Sequence, residues 1–200
     1  MNVWDRIEHS RERRNVLEHP FYQRWSAGEL SPEELACYAG QYGHAVRAIA
    51  QLSAALAETV PANLELQAHS DEEAAHIALW DRFTEKVGGD ADAAPTPETA
   101  ACVCAWTEDA GLVAGLARMY AIESGQPEIS RTKLQGLRDH YGVHGGEGTR
   151  YFDVHEDRDV EHAAEGRALI EELAGAGEAD AIVASAESAF DANWRLLDGV

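Results

Sequence analysis

The sequence predicts an all-α fold, a single-domain bundle of seven to eight helices over residues 1–200. Three observations carry that expectation. Apolar residues recur at intervals of three and four along most of the chain, the pattern of helices that bury one face. The alternating Val/Ile/Thr runs bounded by turns that would mark strands are missing. Helix-start signals are clear, above all "SPEE" at 31–34, where Ser31 caps, Pro32 takes the first helical position and Glu34 reaches back to close a capping box.

Taken in order, a first helix is expected from about Val3 to Leu17, and a short one over "PFYQRW". The Ser31-capped helix should run to about Glu58. The next spans about Ala62 to Val87, has no Gly or Pro after Pro61 to bend it, and stops at Gly88-Gly89. "GGDADAAPTP" reads as a loop, after which Thr96-Pro97 opens a long helix expected to continue through Glu123. Pro127 starts a helix ending near Gly142, and "GVHGGEG" forms a second loop. One helix then runs from "EGTRYF" to "EELAG", and a last one covers Asp180 to Leu197. Neither loop is long or polar enough to link two domains, which leaves one.

Acidic residues number 36 against 16 basic ones, a formal net charge of −20. That charge repels nucleic-acid phosphates and anionic lipid surfaces, so no nucleic-acid partner is expected. No apolar run approaches the roughly 20 residues that span a bilayer, and the N-terminal stretch lacks the apolar core of a secretory signal. The expectation is therefore no membrane partner and a cytoplasmic location. Cys37, Cys102 and Cys104 form neither an even disulfide set nor a CxxC pair. They are expected as small buried side chains in a reducing compartment.

Two octapeptides carry the chemistry. "HSDEEAAH" at 69–76 and "HEDRDVEH" at 155–162 share the spacing His, three residues, an acid, two residues, His. Composition alone makes about 0.07 such matches expected, so two together point to selection for a site. On a helix His69, Glu73 and His76 fall on one face, as do His155, Asp159 and His162. The end-to-end rise of about 10 Å is too long for one ion and suits two ions a few Å apart. The inner Glu73/His76 and Asp159/His162 pairs follow the spacing of carboxylate-bridged di-iron and di-manganese bundles, in which acids from other helices complete the site. Glu123, ending a mostly apolar helix, supplies such an acid, because an unpaired buried carboxylate would be costly. Imidazole and carboxylate without thiolate favour iron or manganese over structural zinc. His44, on an expected core helix, is a candidate to support these ligands. His9, His140 and His144 read as surface or loop residues, and His19 before Pro20 as a turn or packing residue.

"LEHPFYQRWSAGEL" at 17–30, "HIALWDRF" at 76–83, "YAIESGQPEISRTK" at 120–133 and "YFDVHEDRDVEHA" at 151–163 together resemble the haem-oxygenase-like di-metal oxygenases. These are a branch of the superfamily containing the TenA thiaminases and the PqqC oxidase, and the likeness covers nearly the whole chain. It implies two iron ions, or Mn/Fe, with O₂ as co-substrate, an external reductant and a homodimer. His76, Glu123, His155, Asp159 and His162 match the family's metal ligands. Its remaining ligand is a Glu seven residues before the first His. An ungapped match puts His69 there, a three-residue deletion would bring in Glu72, and the ExxH spacing favours Glu73.

The same resemblance implies p-aminobenzoate formation for folate synthesis, in which the protein's own tyrosine supplies the ring and a lysine the nitrogen. Tyr22 matches the consumed tyrosine, Lys133 the lysine and Tyr151 a further active-site tyrosine. The tyrosine that precedes the family's Glu is absent, since Ile122 stands there. If Tyr22 is not consumed, the alternative is an oxygenase acting on an external small amine or acid. A TenA-like pyrimidine hydrolase would need a positioned nucleophilic cysteine, and no cysteine here matches that position. A non-enzymatic helical interaction module has only the acidity in its favour.

Overall fold

A computed structural model describes residues 1–200 as an all-helical protein without strands: α1 (Val3–Arg13), α2 (Pro20–Ala27), α3 (Pro32–Thr59), α4 (Leu64–Lys86), α5 (Pro97–Thr107), α6 (Leu112–Glu123), α7 (Gln126–Asp139), α8 (Arg150–Leu173) and α9 (Ala179–Asp198). Two 3₁₀ turns, Val16–Glu18 and Gly146–Gly148, sit in the connections.

The start signals work as their chemistry requires. Ser31 Oγ accepts the Glu34 N–H at 3.2 Å and the Glu34 carboxylate accepts the Ser31 N–H at 2.8 Å, closing the capping box of α3. Thr96 caps α5 through the Thr99 N–H. At α2, His19 Nδ1 accepts the Phe21 N–H, Pro20 takes the first position, and Gly28 ends the helix in the left-handed conformation. A short rigid segment therefore holds Tyr22 between two fixed ends.

Three boundaries differ from expectation. α1 stops at Arg13 because the Asn15 side chain caps a separate turn by accepting the Leu17 N–H. The helix expected from Thr96 through Glu123 is two helices. Between them Asp109 Oδ1 accepts the Gly111 N–H at 3.0 Å and Gly111 adopts φ 78°, a turn that only a short acid and a glycine make easily. The buried Arg118 donates to the carbonyls of Trp106 and Glu108, satisfying groups that the end of α5 leaves free. The helix opened at Pro127 stops at Asp139, short of Gly142. Of the cysteines, only Cys102 is buried, and Cys37 and Cys104 are exposed.

One apolar cluster of 42 buried residues runs through the molecule. α3 is its spine, packing on α4, α5 and α6. α4 and α8 lie antiparallel, the start of one beside the end of the other, with His69 next to His162 and His76 next to His155. No helix is long and apolar enough to cross a membrane.

Candidate metal centre

The antiparallel packing of α4 and α8 decides how the two octapeptides combine. His69 and His162 have ring centroids 4.0 Å apart, and His76 and His155 4.4 Å apart. Each end of the cluster thus takes one histidine from each helix. His69, Glu73, Glu123 and His162 bring donor atoms within 4.8 Å of one another, and so do Glu73, His76 and His155. Glu73 belongs to both groups. The two ends are therefore not one per octapeptide; each is built across both, joined by one carboxylate.

Asp159 lies buried beside His162, Oδ1 3.8 Å from its Nδ1. Neither Asp159 oxygen and neither ring nitrogen of His162 has a hydrogen-bond partner. His69 Nε2 and Glu123 Oε1 approach to 2.7 Å, but out of line for a hydrogen bond. Buried polar atoms left this way are expensive unless something else engages them. The two histidines at the other end are oriented for the same purpose. Nδ1 of His155 donates to the Tyr151 carbonyl at 2.6 Å, and Nδ1 of His76 to Glu73 at 3.1 Å. In both rings Nε2 is left as the free lone pair, the arrangement that supports a ligating imidazole. Four histidines and three carboxylates without thiolate fit iron or manganese.

The electrostatics agree. Burial, with smaller contributions from Glu123 and Glu73, pushes the Asp159 carboxyl well up, and burial likewise raises Glu123 against the opposing pull of His69. His155 and His162 are pushed down to about 4 by burial, so both imidazoles are neutral at physiological pH. At Glu73 burial is outweighed by His76, His155 and His69, which together hold the carboxylate below its ordinary range. Positive charge placed among these acids would offset the burial penalty on the Asp159 and Glu123 carboxylates, and the neutral imidazoles can take it as ligands.

Next to the cluster is an aromatic chamber. Lys133 of α7 is fully buried, and its Nζ has no hydrogen-bond partner. Five rings surround that nitrogen: Tyr42 at 4.6 Å, Tyr38 and Phe152 at 5.3 Å, Trp80 at 5.5 Å and Tyr22 at 5.8 Å to the centroids. Desolvation brings its pKa down to about 7. The Tyr22 hydroxyl stands 3.3 Å from that of Tyr38. Tyr151 joins chamber and cluster: it packs edge-on to Trp80 with centroids 4.8 Å apart and stacks on His155 at 4.0 Å.

Residues 41–194 match the family model described as iron-containing redox enzyme, of haem-oxygenase type. The chain belongs to this family. Among curated relatives of this redox enzyme, a 4-aminobenzoate synthase from Chlamydia trachomatis is 32% identical over 99% of the chain and 91% of the relative. A 4-aminobenzoate synthase from Nitrosomonas europaea is 33% identical, covering 94% and 86%. Among solved structures, a TenA homologue from Pseudomonas syringae pv. tomato superposes with a TM-score of 0.85 at 18% identity, covering 98% of this chain and 90% of that one. A domain of unknown function with a haem-oxygenase-like fold from Shewanella denitrificans gives 0.79 at 18% identity, covering 99% and 91%. The fold is thus the haem-oxygenase-like one.

In this redox enzyme six of the seven expected metal-site residues converge in the two donor groups, with Asp159 beside them, and the three expected reactive residues adjoin; all are buried except His69, which is partly exposed. Glu72, the alternative to Glu73, stands at the half-exposed edge: its carboxylate takes two hydrogen bonds from Arg158, and its Oε2 lies 3.3 Å from His162 Nε2, but it is not among the donors that converge around Glu73. His44 is also elsewhere, with Nε2 donating to the Ala93 carbonyl at 2.8 Å to pin the loop after α4. Tyr38, Tyr42, Trp80 and Phe152 went unforeseen as chamber walls, as did Gln126, whose amide donates to the Tyr42 hydroxyl at 3.1 Å. A trace exists for one pair only, the i, i+4 spacing of Tyr38 and Tyr42 on α3.

Proposed function

We propose that this chain is an O₂-dependent di-metal oxygenase that forms p-aminobenzoate for folate synthesis, taking the ring from its own Tyr22 and the nitrogen from Lys133. The observation that carries the reading is the Lys133 amine: buried, unpaired and faced by the Tyr22 ring, in a chamber whose wall Tyr151 stacks on the candidate ligand His155. The activity named for the Chlamydia and Nitrosomonas relatives supports it.

His69, Glu73, Glu123 and His162 would hold one ion and Glu73, His76 and His155 the other, with Asp159 available beside His162. Two iron ions, or a Mn/Fe pair, would supply one-electron oxidising power, with O₂ as co-substrate and electrons from an external reductant. The remaining roles fall to the chain itself. Lys133, with its pKa brought down to about 7, is substantially deprotonated at physiological pH, and that neutral fraction is available as a nucleophile. The Tyr38 hydroxyl offers the Tyr22 phenol a neighbour for its proton. The ring walls exclude water from both groups. Hydrolysis through a nucleophilic cysteine gains no support: burial pushes the Cys102 thiol up to about 12, and Cys37 and Cys104 are exposed outside the cluster.

The test is stoichiometric, because a protein that supplies its own ring turns over once. Metal-loaded protein is incubated with a reductant and O₂, and p-aminobenzoate per chain and intact mass are measured. At most one product per chain, a mass loss mapping to Tyr22 and no product from Tyr22→Phe are expected. Undiminished product from that variant would overturn the self-supplied ring and point to an external small amine or acid substrate.

A further inference from the structure

A narrow cavity of about 30 Å³ opens onto the His69 end of the cluster, with room for about two water molecules. Its floor is His69, Glu123 and His162, and its walls are mixed, with Leu56, Leu66, Leu116 and Leu169 beside the polar Ser53 and Asn63. Two exposed acids, Glu65 and Glu165, stand at the rim. On the floor, Glu123 Oε1 and His162 Nε2 are buried and without hydrogen bonds. Tyr22, Lys133 and Tyr151 do not line this cavity, so it is a separate approach from the aromatic chamber.

The rim and floor are in helical register. Glu65 precedes His69 by four residues on α4, and Glu165 follows His162 by three on α8, so each rim acid shares a face with a floor histidine one turn away. Between them the walls carry no further carboxylate or imidazole that would retain a cation; Ser53 and Asn63 are neutral. Gly166, one residue beyond Glu165, lines the mouth without a side chain, and a Cβ there would project into open space.

We propose that this cavity is the passage by which divalent metal ions load into the cluster, drawn by Glu65 and Glu165 and delivered one turn down to His69, Glu123 and His162. The proposal rests on the reading of the cluster as a metal centre. It assigns roles to three residues outside the ligand set: two collecting carboxylates and one glycine that keeps the way clear. Carboxylates at a low-dielectric mouth raise the local cation concentration and the association rate, an effect that salt screens.

Metal-free protein is mixed anaerobically with Fe(II) or with Mn(II), and bound metal is followed against time after quenching with a chelator. The Glu65→Gln/Glu165→Gln double variant should load about ten-fold more slowly at low ionic strength, with the difference shrinking in high salt. Gly166→Leu, which fills open space and improves helix propensity, should load at least about ten-fold more slowly at every salt concentration. Both should reach the wild-type metal content at equilibrium. Wild-type loading rates in both variants would overturn the passage. So would a lower final metal content in Gly166→Leu, since that residue would then shape the site rather than the way in. A wild-type protein that takes up no metal at all would instead overturn the metal centre itself, which keeps the two failures apart.

Discussion

Lys133 Nζ stands 4.6 Å from the centre of the Tyr42 ring with no hydrogen-bond acceptor in reach. Ring faces attract a cation, but they do not replace the water an ammonium loses on burial. Desolvation wins, and the amine titrates near 7.

A measurable pH dependence follows from that depressed pKa. The unfolded chain holds this proton up to the ordinary lysine range, while the folded chain releases it near 7. Between those values the unfolded state binds more protons, so stability rises with pH, by up to about 1.4 kcal/mol per unit from this group alone. Below 7 both states are protonated and the contribution is flat. Lys133→Met keeps the volume and removes the charge, so it should be more stable than wild type at pH 7 and lose the advantage toward pH 10. Urea unfolding of both proteins from pH 6 to 10 measures this, and parallel stability curves would refute the neutral buried amine.

Glu73 and Glu72 differ by one residue and should differ completely in consequence. Glu73 is buried and shared by both ends of the cluster, whereas Glu72 is held by Arg158 at the edge. Glu73→Gln should therefore deplete both ions, and Glu72→Gln should leave metal content within error of wild type. Elemental analysis after loading decides between them. The reverse order would restore Glu72 as the ligand.

These particulars show what the sequence can reveal and what it cannot. Caps are local chemistry, so Ser31, Thr96 and Pro20 marked their helices correctly. The octapeptides disclosed which residues share a face, because the period of one helix is enough for that. Which histidines pair with each other depends on the relative direction of α4 and α8, a tertiary property that no single-helix pattern contains. The break at 108–111 involves no proline; it needs the Asp109-Ala110-Gly111 turn together with a buried Arg118 from the following helix. Lys133 and Tyr22 came from resemblance. The rings around them come from α3, α4 and α8, so no local spacing foretold the chamber.

His162→Ala tests the pairing across the helices. If each ion draws on both octapeptides, removing His162 should lower metal content from about two ions to about one, with the remainder held at Glu73, His76 and His155. His76→Ala in the same background should then remove most of what is left. Full occupancy in His162→Ala, by elemental analysis, would sink the assignment of that histidine as a ligand.

Gly136 of α7 sets the last expectation, because it fixes the distance between Lys133's helix and α2. Glycine inside a helix is ordinarily worth replacing: alanine gains about 0.5–1 kcal/mol on backbone entropy. Here the sign should reverse. A Cβ at position 136 would lie 2.6 Å from Trp25 Cδ1 and nearer still to Nε1. Trp25 cannot move aside, since it is fully buried with the rings of Phe21, Tyr38 and Tyr141 5.4–6.0 Å from its own. Either the indole leaves its rotamer or α7 shifts outward, and overpacking of this kind costs about 1–3 kcal/mol. Gly136→Ala should therefore lower the unfolding midpoint in urea. An outward shift of α7 would also carry Lys133 away from Tyr22, three residues before Trp25 on α2, so p-aminobenzoate per chain should fall while metal content stays at the wild-type level. A variant as stable and as productive as wild type would show that the α2–α7 contact has slack, and that the placement of the amine does not depend on it.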